Sequence, residues 1–251
     1  MRSRLSLPDG QLTGDRRWGA YFIIGWVASQ LVGGVFYAWV LDAFAVVGAA
    51  TGVASARVLA GGSPTLADGA PLIALALWII PAWAVQLGTV GFATKARGLT
   101  LGHDLGLRAV PSDIGLGIVA GIGAQLAIGI VYWALRIDAD DAARELTGKG
   151  TGVGGALVLL LLLAVVAPFV EELLFRGLLL GWLVNLMPRW AALVVTSVVF
   201  AAAHLQFVQF PGLVVAGLTF GFLALRTGRL GPAIIAHMAF NATTVLYLTT
   251  R

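Results

Sequence analysis

ALVLLLLLAVVAPFVEELLFRG, residues 156–177, joins a long apolar run to three ionisable side chains. The run begins near residue 152 and ends at 171, so it has close to the 20 or so apolar residues that a helix needs to cross a bilayer. Glu171, Glu172 and Arg176 stand at its end. The stretch predicts a membrane-spanning helix, and it raises the question of why charged groups are placed on it.

The composition of the whole chain also indicates a protein surrounded by lipid. Of 251 residues 59% are hydrophobic and 11% are charged, against about 25% charged in ordinary soluble domains. We therefore predict an all-α, polytopic integral membrane helix bundle of about seven or eight transmembrane helices, in which the 33 glycines suit close helix contact. The apolar runs lie at 18–41, 70–94, 112–136, 152–171, 190–204, 211–226 and 230–249, and the interrupted stretch 43–60 is an interfacial piece, a re-entrant piece or an eighth crossing.

Basic residues predict the orientation of the bundle. The first run is longer than the apolar region of a signal peptide and has no clear cleavage site, so we interpret it as a retained helix. Lys and Arg are more numerous in the segments that share a side with the N-terminus, which favours a cytoplasmic N-terminus in a multi-pass cell-membrane protein. The same orientation puts Glu171 near the inner surface and His204 toward the outer end of its helix. The net charge of +4 reflects topology, and no nucleic-acid-binding patch is present.

The spacing of the charged residues separates the two carboxylates. Residues four apart share a helix face, so Glu172 and Arg176 can form an ion pair. Glu171 points about 100° away and is left unpaired. Charged groups inside a membrane usually face a wet cavity and have a function, which makes Glu171 a candidate general base. The alternative is that both acids only bridge helices.

Two histidines lie in apolar segments, whereas His103 lies in a polar loop. FAAAH places Phe200 one turn before His204, and HMAFN places His237 one turn before Asn241. Each could be a structural hydrogen-bonding residue between helices. A glutamate, two histidines and an asparagine on three apolar segments favour a common site.

Together these motifs resemble the CAAX prenyl protease and bacteriocin-processing (CPBP) family of intramembrane endopeptidases, which includes relatives of the type II CAAX prenyl endopeptidase. EELLFR resembles the family's E-E-x-x-x-R motif, FAAAH its F-x-x-x-H motif and HMAFN its H-x-x-x-N motif. The resemblance covers about 156–245. It implies a catalytic core at 156–251, preceded by N-terminal transmembrane helices at 1–155, within one integral domain.

The resemblance also implies a mechanism. Glu171 and His204 are expected to activate a water that attacks a peptide carbonyl, and His237 and Asn241 are expected to stabilise the oxyanion. Glu172, Arg176 and Phe200 are expected to support the site. The implied partners are membrane lipid and a membrane-associated peptide or protein substrate.

Metal dependence is left open by the residues. Glu171, His204 and His237 are acceptable zinc ligands, yet the chain lacks the H-E-x-x-H arrangement, and we favour a site without metal or other cofactor. The absence of cysteine excludes a thiol nucleophile and thiolate ligands. Two alternative functions are a transporter with an ion or proton relay and an inactive immunity or scaffold homologue.

Overall fold

Helices account for all the regular structure in the part of the chain that the structure, a computed structural model, describes: residues 18–51, 70–96, 98–137 and 152–249. The helices are α1 Trp18–Thr51, α2 Ala70–Lys95, α3 Pro111–Ala134, α4 at residues 152–183, α5 Arg189–Ala203, α6 Phe210–Thr227 and α7 Gly231–Thr249. They correspond to the predicted apolar runs. The predicted stretch 43–60 continues α1 as far as Thr51, and its residues 52–60 lie outside the described residues.

Several of these helices have the length and composition of membrane spans. Four segments are long and apolar enough to cross a bilayer, namely Trp18–Trp39, Pro111–Ala134, Gly154–Leu183 and Phe210–Thr227, while Arg189–Ala203 is apolar but shorter. Apolar side chains such as Trp133 and Val119 are exposed on the surface of the described bundle, where lipid is the solvent that suits them. The predicted class, a polytopic helical membrane protein, is confirmed.

Helix α4 corrects one predicted boundary. The apolar run was expected to end at 171, but the helix continues to Leu183. It can do so because Glu172 and Arg176 neutralise each other inside the protein, and the sequence after them is apolar again. Glu171 therefore lies well inside a membrane helix. Arg176 lies in a helix and not in a loop, so it should be left out when Lys and Arg are compared between the two sides of the membrane.

The hydrogen-bonding pattern of α4 changes along its length. It is α-helical over Gly152–Leu161, π-helical over Leu162–Val166, α-helical over Ala167–Glu172, π-helical over Leu173–Leu180 and α-helical over Gly181–Leu183. Every residue of the second π segment is buried, and α4 packs against α1, α2, α5, α6 and α7. It is thus the central helix of the described bundle. π segments are rare and are frequently found at functional sites, and here two of them flank the glutamate pair.

Glycines set the separation of two helix pairs around α4. A Cβ on Gly121 of α3 would overlap the backbone carbonyl of Ala236 in α7, and one on Gly117 would overlap Ile235. A Cβ on Gly217 of α6 would lie 3.0 Å from the Cα of Ser197 in α5. These are the close contacts that small residues allow between membrane helices. They fix the positions of α5 and α7, which carry the two candidate histidines.

An ion pair ties the start of α3 to the turn between α6 and α7. Arg229 donates from Nη2 to Asp113 Oδ1 at 2.7 Å and from Nε to Asp113 Oδ2 at 3.2 Å. The hydrogen bond to Asp113 raises the pKa of the Arg229 guanidinium. Backbone bonds from Leu230 to Gly106 and from Gly231 to Arg108 join the same turn to the loop before α3. The N-terminal end of α7 is therefore held firmly against α3.

Helices α5 and α6 form a hairpin without fixed charge between its two ends. No Asp, Glu, Lys or Arg occurs from residue 190 to residue 225, and Arg189 at its start donates to the Leu225 carbonyl at 2.6 Å. Helix α5 has 15 residues and is about 22 Å long, less than the hydrocarbon thickness of about 30 Å. The connecting loop exposes Leu205, Phe207 and Val208. These exposed apolar side chains are suited to contact with lipid.

The short hairpin also corrects the predicted depth of the two candidate bases. Sequence analysis placed Glu171 near one surface and His204 toward the other. In the structure Glu171 Oε2 lies 4.0 Å from His204 Nε2. The prediction was wrong because Glu171 lies inside α4 and because α5 is too short to carry His204 to the opposite surface.

Candidate active site

A cavity of about 230 Å³ lies between the helices that carry the three motifs. Four of its lining residues are Glu171, His204, His237 and Asn241, and most of the others are apolar. Helix α4 supplies the glutamate, the C-terminal end of α5 supplies His204, and α7 supplies His237 and Asn241. The structure thus places the four predicted catalytic side chains around one space.

Glu172 and Arg176 form a completely buried ion pair. Arg176 Nη1 donates to Glu172 Oε1 at 2.8 Å, and both side chains are 0% exposed. Arg176 Nη2 also donates to the Gly217 carbonyl of α6 at 3.1 Å. The pairing inferred from the four-residue spacing is confirmed. Because burying two charges costs several kcal/mol even when they pair, the helices must hold this geometry closely.

The same glutamate orients the second histidine. Glu172 Oε1 accepts a hydrogen bond from His237 Nδ1 at 2.8 Å. A carboxylate can only accept, so this bond assigns a proton to Nδ1 and turns Nε2 toward the cavity. There His237 Nε2 lies 3.8 Å from Glu171 Oε2. Glu172 therefore supports the site from behind, through His237, and does not line the cavity.

The first histidine is oriented by its own helix. His204 Nδ1 is 2.8 Å from the backbone carbonyl of Phe200, and a carbonyl accepts but does not donate. The proton of the neutral ring is thus on Nδ1, and Nε2 again faces Glu171. Residue 200 thus contributes its backbone carbonyl to this bond and, through its ring, an edge-on contact with the imidazole.

Glu171 Oε2 is the point on which both imidazoles converge. His237 Nε2 and His204 Nε2 lie 3.8 and 4.0 Å from it, distances too long for direct hydrogen bonds. Polar groups that face each other across more than 3.5 Å can be linked by a bridging water. The Glu171 side chain is 23% exposed and that of His204 is 27% exposed, while His237 is 3% exposed. The two accessible groups are those predicted to contact the attacking water.

Aromatic rings enclose the polar core of the site. The Phe200 ring lies edge-on to His204 and His237, with ring centroids 4.7 and 5.6 Å away, and the Arg176 guanidinium carbon is 4.5 Å from its centre. The Phe220 ring stacks on His237 with centroids 4.5 Å apart. These contacts keep water from the ion pair and add cation–π stabilisation to Arg176.

Asn241 is anchored to α4. Its Nδ2 donates to the backbone carbonyl of Leu163 at 2.8 Å, and Leu163 belongs to the first π segment. The amide has two donor hydrogens, so the one not used by Leu163 remains for a ligand in the cavity. Asn241 is placed by the backbone of the same helix that carries Glu171.

Sequence analysis favoured a site without metal but named three possible zinc ligands here. Glu171, His204 and His237 supply acceptable donors, and each histidine is oriented through its other nitrogen, as metal ligands commonly are. However, ligands bound to one tetrahedral zinc at about 2.0–2.1 Å lie about 3.3 Å apart. The imidazoles of His237 and His204, at 3.8 and 4.0 Å, would have to move about 0.5 and about 0.7 Å toward Glu171. Within the described ranges, no three His, Cys, Asp or Glu side chains are clustered closely enough to ligate one ion.

Some residues of the site were not found from the sequence. His103 lies in the α2–α3 loop, 76% exposed and beside Asp104, as expected of a histidine outside the site. Phe220 and Gly217 were not singled out, although G217-x-x-x-G221 is a small-residue spacing typical of close helix packing and could have indicated that the α6 backbone reaches Arg176. Nothing in the local sequence distinguishes Phe220 from other aromatic residues of the bundle.

Replacing Arg176 with methionine should strongly destabilise the protein. The change leaves the Glu172 carboxylate buried and without its cation, which typically costs about 3–5 kcal/mol. We expect a clear fall in the melting temperature of the detergent-purified protein. Arg226→Met, which alters an exposed arginine in the last turn of α6, is the matched control and should melt like the wild type. Equal melting temperatures for Arg176→Met and the wild type would contradict the stabilising role of the pair.

These features define a class of protein: a polytopic helical membrane protein with a glutamate–histidine site enclosed within its bundle. Residues 153–243 match the family model described as "Type II CAAX prenyl endopeptidase Rce1-like". The chain is also 27% identical over 196 residues to "Putative membrane peptidase YdiL" of Bacillus subtilis (strain 168), covering 74% of this chain and 77% of the relative. No solved structure matches the chain.

Both matches support an assignment to the CPBP family. The resemblance noted from its three motifs is confirmed. Family and relative together support a membrane protease as its general class.

Proposed function

We propose that the protein is an intramembrane endopeptidase that hydrolyses a peptide bond of a membrane-associated peptide or protein. One observation carries the proposal: the Nε2 atoms of His204 and His237 both face Glu171 Oε2, at 4.0 and 3.8 Å, at the wall of a cavity inside the bundle. A carboxylate and a correctly oriented imidazole at this separation can hold one water between them. Such a pair is suited to general-base catalysis.

Glu171 and His204 are the proposed base pair. The water donates one hydrogen bond to Glu171 Oε2 and the other to His204 Nε2, which is a free acceptor in the tautomer fixed by the Phe200 carbonyl. As the water oxygen attacks the peptide carbonyl, one of its protons passes to this pair. The same proton is then delivered to the departing amine nitrogen, so that the carboxylate and the imidazole return to their starting state.

His237 and Asn241 are the proposed stabilisers of the oxyanion. Asn241 offers the Nδ2 hydrogen that Leu163 does not use. His237 can donate from Nε2 only when that atom also carries a proton, since its Nδ1 hydrogen is bound to Glu172. Each oxyanion donor is typically worth about 3–4 kcal/mol.

The walls of the cavity support an apolar or extended peptide segment as substrate. Besides the four proposed catalytic residues, the lining includes apolar side chains such as Leu213, Ala216 and Phe240. Gln206 and Gln209 line it on the α5–α6 loop, where amides are suitable partners for the backbone of a bound peptide. A substrate tethered in the bilayer would present such a segment at this depth.

We further propose that no metal is needed, since Glu171 and His204 suffice to activate the water. The test is cleavage of a panel of membrane-tethered peptides by the detergent-purified protein, with and without a chelator. Cleavage that survives chelation supports the glutamate mechanism. Loss of cleavage that zinc restores would replace it with a metalloprotease in which Glu171, His204 and His237 are ligands. Absence of cleavage across a broad panel, by protein with a normal melting curve, would favour the non-enzymatic alternatives.

A further inference from the structure

Pro168 lies inside α4, three residues before the proposed base Glu171. It follows the first π segment, where the Ala167 N–H bonds to the Leu162 carbonyl five residues earlier. The next bond of the same pattern would join the N–H of residue 168 to the Leu163 carbonyl. Proline has no N–H, so this carbonyl receives no bond from residue 168.

The Leu163 carbonyl is the acceptor that Asn241 uses. Asn241 Nδ2 donates to it at 2.8 Å across the α4–α7 interface. A carbonyl without a donor is costly inside a membrane protein. The Asn241 amide on α7 supplies the donor that α4 lacks at this partly buried carbonyl. From this geometry we propose that Pro168 is a positioning residue: by withholding a backbone donor, it reserves the Leu163 carbonyl for Asn241 and thereby fixes the asparagine in the cavity.

This inference rests on the proposed function for its effect on catalysis, but its structural content can be tested separately. In a Pro168→Ala protein the new N–H competes for the Leu163 carbonyl, and Asn241 loses its fixed orientation. Helix stability should not suffer, because alanine is a far better helix former than proline. We therefore expect kcat to fall on the order of 10- to 100-fold, as for other small displacements of catalytic groups, with KM little changed and the melting temperature equal to or above that of the wild type.

A double-mutant cycle separates positioning from a general structural role. In an Asn241→Ala background, Pro168→Ala should cause no further loss of kcat, since the group that it positions is gone. Pro81→Ala, which removes another proline inside a helix, α2, is the matched control and should retain wild-type kcat. The proposal is overturned if Pro168→Ala leaves kcat unchanged, or if it lowers kcat equally in both backgrounds.

Thermal unfolding tests the same contact without any substrate. With proline at 168, Asn241→Ala leaves the Leu163 carbonyl without a donor. In the Pro168→Ala background, the backbone N–H of residue 168 can take the place of the Asn241 amide. The decrease in melting temperature caused by Asn241→Ala should thus be smaller in that background. Additive shifts would overturn the proposed contact, whether or not the protein cleaves peptides. Non-additive shifts in a protein that cleaves nothing would keep the contact and remove only the proposed function.

Discussion

Glu171→Gln is expected to lower the rate of peptide cleavage by about 10²–10⁴-fold, the range typical of losing a general base. The amide has nearly the same shape but cannot take up the proton of the attacking water. Because the Glu171 side chain is 23% exposed and its Oε2 lies 3.8 and 4.0 Å from the nearest imidazole nitrogens, the fold should be preserved. Steady-state cleavage of a membrane-tethered peptide and a thermal melt of the same preparation measure the two effects.

The matched control for Glu171→Gln is Asp104→Asn, an acid-to-amide change in the α2–α3 loop. Among the described residues, the Asp104 side chain bonds to its neighbours Thr100 and His103, so cleavage should remain at the wild-type level. Turnover by purified Glu171→Gln at the wild-type rate would eliminate the proposed mechanism. A large fall in its melting temperature would mean instead that Glu171 is structural, which is the alternative raised by its sequence.

His204→Ala is expected to lower cleavage by a similar factor, because it removes the second acceptor for the water. The histidine is 27% exposed and its hydrogen bond is to its own helix, so the bundle should fold normally. Added imidazole should partly restore activity, since the truncated side chain enlarges a cavity that is already about 230 Å³. A rate measurement over a series of imidazole concentrations provides the readout.

His103→Ala serves as the control for the histidine change. It removes an exposed imidazole in a loop, and neither its cleavage rate nor its response to imidazole should differ from the wild type. If His204→Ala retained full activity, the base would have to be Glu171 alone, and the role proposed for the F-x-x-x-H motif would be withdrawn.

Local spacing predicted the parts of the site that depend on one helix. The Glu172–Arg176 pair follows from a four-residue separation, and the same geometry turns Glu171 away from Arg176. Likewise, Phe200 and His204 are one turn apart, and so are His237 and Asn241. The class of fold was equally accessible, because long apolar runs in a chain with few charges leave membrane helices as the main solution.

Relations between helices were not accessible in the same way. The depth of His204 relative to Glu171 depends on where α4 ends and on how short α5 is, and a charged pair inside an apolar run concealed the end of α4. The contact of Arg176 with the Gly217 carbonyl and the stacking of Phe220 on His237 arise from tertiary packing alone. Pro168 is visible in the sequence, but its proposed positioning role could not be inferred from it. That inference requires knowing which side chain bonds to the carbonyl that Pro168 leaves without a donor.

The uncharged α5–α6 hairpin affects how the rate of such an enzyme must be expressed. Its loop exposes Leu205 and Phe207, which are suited to contact with lipid, and a substrate tethered in the bilayer would meet the protein in two dimensions. The quantity that saturates the site is then the mole fraction of substrate in the bilayer or micelle. Adding lipid at constant amounts of enzyme and peptide dilutes the substrate within the membrane and slows turnover. The bulk concentrations of enzyme and peptide stay the same.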